Sequence, residues 1–355
     1  MKVREVHVEP QTLALRTPLR TAAGEIAERM ALVIHVTTET GLVGVGEACP
    51  LPGYDDEDPD ATAEALSGVV ARELPGAAAD PATTGRLGEL PAHARAAVDC
   101  ALWDLAAQRE GRPLWRTLRE DLSERQPDPS PVAVNALIGA DDPTQAGEQA
   151  EAAVAAGFTT VKVKGGDDRD VARVRAVRDA AGPDIAIRVD ANRAWSSDQA
   201  PGRLAEMGRC NVEYVEEPTA DPRGWRALRG AVALAADESS SRDEAAVEPG
   251  VALPGHPDVV IVKLGRSGGF ARAAALAASA PSAVVTTNLD GPVGVCAATH
   301  LALAIGDPAR AHGLSTLGAL EGHGPPTPLI APPTAAGLAL DATLTTLTAP
   351  PPPAR

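Results

Sequence analysis

Only four lysines stand among the 32 basic residues of this chain, and three of them lie in two short apolar runs. Lys162 and Lys164 fall in VKVKGG (161–166) and Lys263 in VIVKLGRSGG (260–269), while Lys2 stands apart. Elsewhere the chain uses arginine, whose charge is fixed near neutral pH, whereas a lysine can give up its proton when desolvated or set beside another cation. A lone strand lysine is ordinarily a solvated side chain, so the company of these three decides their meaning. The last polar residues of successive β-like runs are Lys164, Asp190, Glu216, Asp237 and Lys263, spaced 26, 26, 21 and 26 residues apart. On consecutive barrel strands they would follow one another around the rim as amine, three carboxylates, amine.

Three adjacent carboxylates in a dry site repel one another unless a cation sits among them. Oxygen donors on rigid strands, without a His or Cys cluster, select a hard ion, Mg²⁺ first and Mn²⁺ next. Amines flanking such an ion suit removal of a proton next to a carboxylate, because the developing negative charge is offset where it forms. Lys162 and Lys164, two apart on a strand, share a face. The like charge and the ion should lower the proton affinity of Lys164 toward that of a useful base.

These residues need elements to hold them. From 131 onward short β-branched runs alternate with Ala/Arg-rich helical segments: 131–138, 159–164, 185–190, 212–217, 233–238, 259–264, 283–288 and 312–316. One strand per helical unit implies parallel pairing with right-handed crossovers. Eight candidates in about 185 residues suggest a (β/α) barrel, whose chemistry gathers at the C-terminal strand ends. Before the barrel, 2–16 and 30–47 read as strands, the second run turning at Glu39-Thr40-Gly41. Helical periodicity covers 60–74 and 92–110, with Gly111 as a stop, and 121–131 reads as a linker. The acidic patch at 55–60 reads as a solvated loop. The expected division is a capping domain at 1–125, completed by 318–345, a barrel at 128–317 and a disordered tail at 346–355.

A net charge of −16 argues against nucleic acid and anionic membranes as partners, and also fits life in high salt. No apolar run is long enough to span a bilayer, and the first residues lack the apolar stretch of a secretory signal. Cys49, Cys100, Cys210 and Cys296 are far apart, so reduced thiols in a cytoplasmic protein are expected. With aromatics at 2%, the core must be built from Val, Leu, Ile and Ala, which suits parallel strands under helices.

The runs VKVKGG, RVDANRAW (188–195), YVEEP (214–218), AADESSS (235–241) and VIVKLGRSGG resemble the enolase superfamily, in its muconate-cycloisomerase-like subgroup. GVGEACPLPGYDDED (44–58) and ARAAVDCALWDLA (94–106) resemble its capping domain. The resemblance implies an α/β fold, a modified (β/α)7β TIM-like barrel with an N-terminal α+β capping domain. It implies Asp190, Glu216 and Asp237 as Mg²⁺ ligands, Glu216 rather than Glu217 because the first Glu of Glu-Glu-Pro is the family's ligand. A Lys or His base paired with Mg²⁺ is a property of that superfamily. Lys164 would then take the α-proton, Lys263 would face it across the substrate, and Lys162 would assist. Arg188, two before Asp190, is a candidate substrate contact. Thr286, Thr287 and Asn288 end the seventh strand, where the family often holds the substrate's distal group. Asp290 stands where the family often has a longer Glu. Loops at 17–27 and 49–58 would close over the mouth.

Within the subgroup, GEACPLPGY, RVDANRAW and HGLSTLGAL most resemble the o-succinylbenzoate synthases of menaquinone biosynthesis. That implies a small carboxylate substrate, 2-succinyl-6-hydroxy-2,4-cyclohexadiene-1-carboxylate, and its Mg²⁺-dependent syn dehydration. Two lysines across a substrate can also exchange a proton from either face. N-succinylamino acid racemases, dipeptide epimerases and muconate-type cycloisomerases are therefore rivals, whereas a non-catalytic barrel is disfavoured by the intact rim. Dipeptide epimerases commonly carry Asp-x-Asp after the eighth strand to hold an ammonium. The corresponding Gly313-Leu314-Ser315-Thr316 has no such anion, which favours a substrate without an amine.

Overall fold

The computed structural model describes residues 1–21, 24–55, 57–123, 130–241, 253–325 and 327–348. β1 (Val3–Thr21), β2 (Gly24–Thr38) and β3 (Val43–Ala48) form an antiparallel sheet in that order. A broken helix follows, with α1 (Pro59–Glu64), a π-helical stretch at Ala65–Val70 and α2 (Ala71–Glu73). Next come α3 (Ala92–Glu110), closed by left-handed Gly111, and α4 (Leu114–Leu122). α3 is buried on nearly every side because its alanines let β3 approach closely. A Cβ at Gly46 would lie 1.9 Å from the Ala97 carbonyl oxygen, and one at Gly44 would lie 2.1 Å from that of Ala101.

The remaining elements are β4 (Val132–Ala133), β5 (Ala136–Ile138), α5 (Pro143–Ala155), β6 (Thr160–Lys164), α6 (Asp170–Ala181), β7 (Ala186–Asp190), α7 (Ala200–Arg209), β8 (Val212–Glu216), β9 (Ala233–Ala236), α8 (Glu238–Ser241), β10 (Val259–Lys263), α9 (Leu264–Ser267), α10 (Phe270–Ala277), β11 (Ser282–Thr286), α11 (Pro292–Ile305), β12 (Leu329–Ile330) and α12 (Leu340–Thr348). β5 to β11 form one parallel sheet in chain order. The eighth position is a short link rather than a full strand: His312 bridges Val134, and Gly313 bridges Thr286. This closes a modified (β/α)7β barrel. Outward-facing Val161, Val163, Val189, Val215, Val260, Val262 and Val285 are buried beneath the helices, each contributing roughly 1.5–3 kcal/mol.

Two buried carboxylates of the N-terminal elements fasten the sheet and α3 to the barrel, and a third fastens them to the C-terminal segment. Glu47 accepts hydrogen bonds from the backbone N–H of Gly291 (2.6 Å) and Gly294 (3.1 Å) at the start of α11. Asp99 accepts one from Phe270 N–H at the start of α10 (2.7 Å). Asp104 joins Val45 N–H to Leu338 N–H. Negative charge at a helix N-terminus is favoured by the helix dipole, yet burial pushes Glu47 up to about 7 and Asp99 up to about 6.

The expected mouth loop at 17–27 is instead largely ribbon, with strand up to Thr21 and again from Gly24. The register shift between Ala14 and Leu19 makes Leu15–Pro18 a bulge. There Arg16 donates to the Gly318 (3.1 Å) and His323 carbonyls, and Glu321 N–H donates to Ala14 O (2.9 Å). The bulge thus docks the ribbon on the segment that follows the closing link, while Leu19 and Ile26 pack on the barrel core. α12 runs three residues into the expected tail, and 349–355 lie outside the described residues, as does most of the expected linker. No described helix is long and apolar enough to cross a membrane.

Candidate active site

Parallel pairing in register puts partner residues on the same side of the sheet, and the lumen is built from such layers. Lys164, Asp190 and Glu216 are register partners at the strand ends. Lys263 and Thr286 pair at the ends of β10 and β11. Asp237 follows β9 directly. One layer down sit Lys162, Arg188 and Tyr214. Tyr214, Ala235, Val259, Ile261 and Val284 fill the lumen as a small separate apolar cluster.

The ionic geometry is dense. Lys162 Nζ lies 2.8 Å from both carboxylate oxygens of Glu216 and 2.9 Å from Asp190 Oδ2. Lys164 Nζ donates to the same Asp190 oxygen at 2.7 Å. On the far side Lys263 and Arg266 both grip Asp237, the guanidinium at 2.8 Å. Burial, the largest influence on Asp190, works to raise its pKa, but the two lysine ammoniums overrule it and hold the carboxyl well below the usual range. Glu216 moves the opposite way: burial, then repulsion from Asp190, push it well above the usual range despite Lys162. Lys164 departs from expectation. Burial, and the like charge of Lys162, do pull its pKa down, but attraction to Asp190 and Glu216 prevails and raises it. Carboxylates outweigh the neighbouring cation here because one of them is in direct hydrogen-bond contact.

The other expected contacts fare differently. Arg188 is not at the mouth. It is fully buried in the barrel floor, donating to Glu213 (2.6 Å) and the Ala311 carbonyl (2.6 Å) and lying over the Tyr214 ring. A bulge explains the partner: Ile187 pairs with Val212 and Arg188 with Tyr214, so Glu213 is the extra residue. Thr286 donates to the Gly313 carbonyl (3.0 Å), and Thr287 shares a 2.7 Å hydrogen bond with Thr316. Asn288 donates from Nδ2 to Asp55 (2.9 Å). Glu217 turns away from the lumen and accepts from Asp237 N–H (2.8 Å), Ser239 N–H (2.9 Å) and the Ser239 hydroxyl (2.7 Å), which leaves Glu216 as the inward carboxylate.

Sequence reasoning missed Asp55 and Arg266. Asp55 belongs to the acidic patch expected to be solvated, yet it is buried. Its carboxylate accepts from Leu51 N–H (2.6 Å), Asn288 and Arg266 (3.1 Å), and His93 Nε2 lies 3.2 Å away. Burial alone would raise its pKa, but His93 and Arg266 together hold it well below the usual range. Arg266 therefore links the capping loop to Asp237. The available signal was its spacing of three from Lys263, which the single turn of α9 converts into a shared face.

A hard divalent ion fits the donor set: three buried carboxylates from adjacent strands, all oxygen, with Glu216 short of compensating positive charge. Among the described residues no three such groups already surround one point, because Lys162 sits between two of them and Asp237 faces Lys263 and Arg266. Convergence requires Asp237 to turn from those two cations.

Two family models match the chain: "Enolase C-terminal domain-like" over residues 145–338 and "Mandelate racemase / muconate lactonizing enzyme, N-terminal domain" over residues 3–118. The chain belongs to the enolase superfamily. It is 30% identical to a hydrophobic dipeptide epimerase of Enterococcus faecalis over 86% of this chain and 88% of that one. The solved dipeptide epimerase structure from E. faecalis V583, complexed with Mg and the dipeptide L-Leu-L-Tyr, superposes with a TM-score of 0.82 at 28% identity, covering 95% and 99% of the two chains. An o-succinylbenzoate synthase of Thermobifida fusca is 35% identical over 62% of this chain and 67% of its own. The superfamily supports an enzyme with Mg²⁺ dependence.

Proposed function

We propose that this enzyme removes the proton α to a carboxylate and returns one to the opposite face, epimerising an N-acylated amino acid, with dipeptides the first class to test. The observation that carries this is the placement of Lys164 on β6 and Lys263 on β10, with Asp190, Glu216 and Asp237 on the strand ends between them. Asp190, Glu216 and Asp237 would hold Mg²⁺, which when bound would neutralise a substrate carboxylate and offset the charge of its enediolate. Lys164 and Lys263 stand one on either flank: the one that enters as a neutral amine takes the α-proton at Nζ, and the other, entering as an ammonium, delivers its own to the opposite face. Lys162 helps to hold Asp190 ionised and fixes Glu216 in place through hydrogen bonds to both of its oxygens. The Asp55 loop, tied to Arg266 and Asn288, would limit water at the mouth once substrate is bound. This reading takes precedence over dehydration because epimerases match more of the chain.

Dehydration to o-succinylbenzoate is the second reading, favoured by the rim segment Gly313–Thr316, which offers no carboxylate to an ammonium. One experiment separates them. Purified enzyme with Mg²⁺ in D₂O is given hydrophobic dipeptides, N-succinyl amino acids and the cyclohexadiene carboxylate. Deuterium at the α-carbon with formation of the second diastereomer of the dipeptide, or loss of optical rotation for the N-succinyl amino acid, supports epimerisation; an aromatic product without such exchange refutes it in favour of the synthase.

A further inference from the structure

Asp170 opens α6, is 1% exposed and belongs to none of the groups assigned above. Five groups donate to its carboxylate: Gly166 N–H (3.0 Å to each oxygen), Asp167 N–H (3.2 Å), Arg173 Nη1 (2.8 Å), Arg203 Nη1 (3.0 Å) and Trp195 Nε1 (2.7 Å). Its ion-pair partner Arg173, equally buried, donates to the carbonyl of Lys164 (3.2 Å) and from Nη2 to that of Asp141 (3.0 Å). The pair therefore grips the exits of β5, β6 and β7 at once. Trp195 N–H in turn reaches Pro218 O, beyond β8.

The glycines of VKVKGG belong to this device. A Cβ on Gly165 would stand 3.1 Å from Asp170 Oδ1, and Gly166, at φ +122, would place one 3.2 Å from Ala194. The chain leaving Lys164 passes between Asp170 and Ala194 with little room for side chains, and Gly166 is in a backbone conformation that L side chains rarely adopt. We infer that Asp170 is a positioning residue that sets the reach of Lys164 by clamping the backbone immediately after it. Lys263 is anchored separately, by Asp237 on the opposite flank. Loosening Asp170 should then displace one base and spare the other. This rests on the reading above that the two lysines serve opposite faces.

The chain has only four lysines, so ε-¹³C-lysine labelling gives a spectrum in which Lys164 and Lys263 can be assigned by single Lys→Arg variants. In Asp170→Asn, the Lys164 resonance should move and the Lys263 resonance should stay. In D₂O, α-proton exchange from the epimer served by Lys164 should fall about ten- to a hundredfold, the loss expected of a misplacement near 1 Å. Exchange from the other epimer and both KM values should stay within about threefold. An unmoved Lys164 resonance, or equal losses for the two epimers, overturns the inference. If Asp170→Asn does not fold, Arg203→Gln removes one peripheral donor and must show the same one-sided change, smaller. The spectrum needs no substrate, so an absence of exchange in the parent enzyme would count against the functional reading and leave the positioning result standing on its own.

Discussion

Replacing Lys162 by methionine tests whether the carboxylate ring is built around positive charge. Its ammonium is the one that hydrogen-bonds both oxygens of Glu216 at 2.8 Å, and it lies 2.9 Å from Asp190. Both carboxylates are buried, and Lys164 would remain on Asp190 alone. Removing one partner of a buried ion pair costs about 3–5 kcal/mol, because the charge left behind is uncompensated. Cap and barrel, clamped by Glu47 and Asp99, should unfold together. With roughly 2.1 cal/mol/K of unfolding entropy per residue, a chain of 355 residues gains about 0.75 kcal/mol/K, so the loss amounts to roughly 4–7 °C in Tm. Mg²⁺ supplies two charges at the same place and should restore most of that loss in the variant. Differential scanning calorimetry of parent and variant, with EDTA and with excess Mg²⁺, reads the effect directly. An equal Tm loss in both conditions, or none in EDTA, would refute the reasoning.

Further expectations concern the other parts of the site and its frame. Lys164→Ala should abolish turnover while Mg²⁺ binding persists by calorimetric titration, and Asp237→Asn should weaken that binding at least about tenfold, a carboxylate ligand being lost. Asp55→Asn keeps the shape of the capping-loop anchor but removes the charge facing Arg266, so kcat/KM should fall about ten- to a hundredfold, as a charge-assisted hydrogen bond is lost; unchanged kinetics would show that the loop needs no ionic anchor. His300, fully buried, accepts from Trp115 N–H and faces the Leu338 carbonyl, and burial lowers its pKa from 6.5 to about 4. The unfolded chain protonates first, so this stability is present above pH 6.5 and is lost as pH falls toward 4, a gap worth roughly 3 kcal/mol. Glu47, raised to about 7, acts in the opposite sense, its contribution lost as pH rises through 7. Urea midpoints of parent and His300→Gln between pH 7.5 and 4.5 isolate the histidine, and parallel curves would count against it.

The barrel was legible because its strands are short β-branched runs that recur with a helix between them. β6, β7, β8, β10 and β11 begin and end within two residues of the runs read from the chain. The rim was legible for the same reason: β6, β7, β8, β10 and β11 each end on a polar residue, Asp237 directly follows β9, and strand ends are where a parallel barrel opens. The capping ribbon was less so. The bulge at Leu15–Pro18 and the docking of Arg16 depend on backbone carbonyls some 300 residues away in sequence, which leave no local pattern.

Local order along the chain thus determined the fold class and the order of amine and carboxylate around the mouth. What only the tertiary structure decided is which charges meet. Asp55 looks like one more solvated acid beside its neighbours, and becomes a buried anchor because the barrel presents Arg266 and Asn288 to it. Arg188 looks inward like Asp190, but a bulge at Glu213 gives it a partner in the floor. The proton affinity of Lys164 follows from a 2.7 Å contact with Asp190 across 26 residues of sequence. Coulomb attraction depends on distance in space, and separation along a chain carries no record of it until the fold is complete.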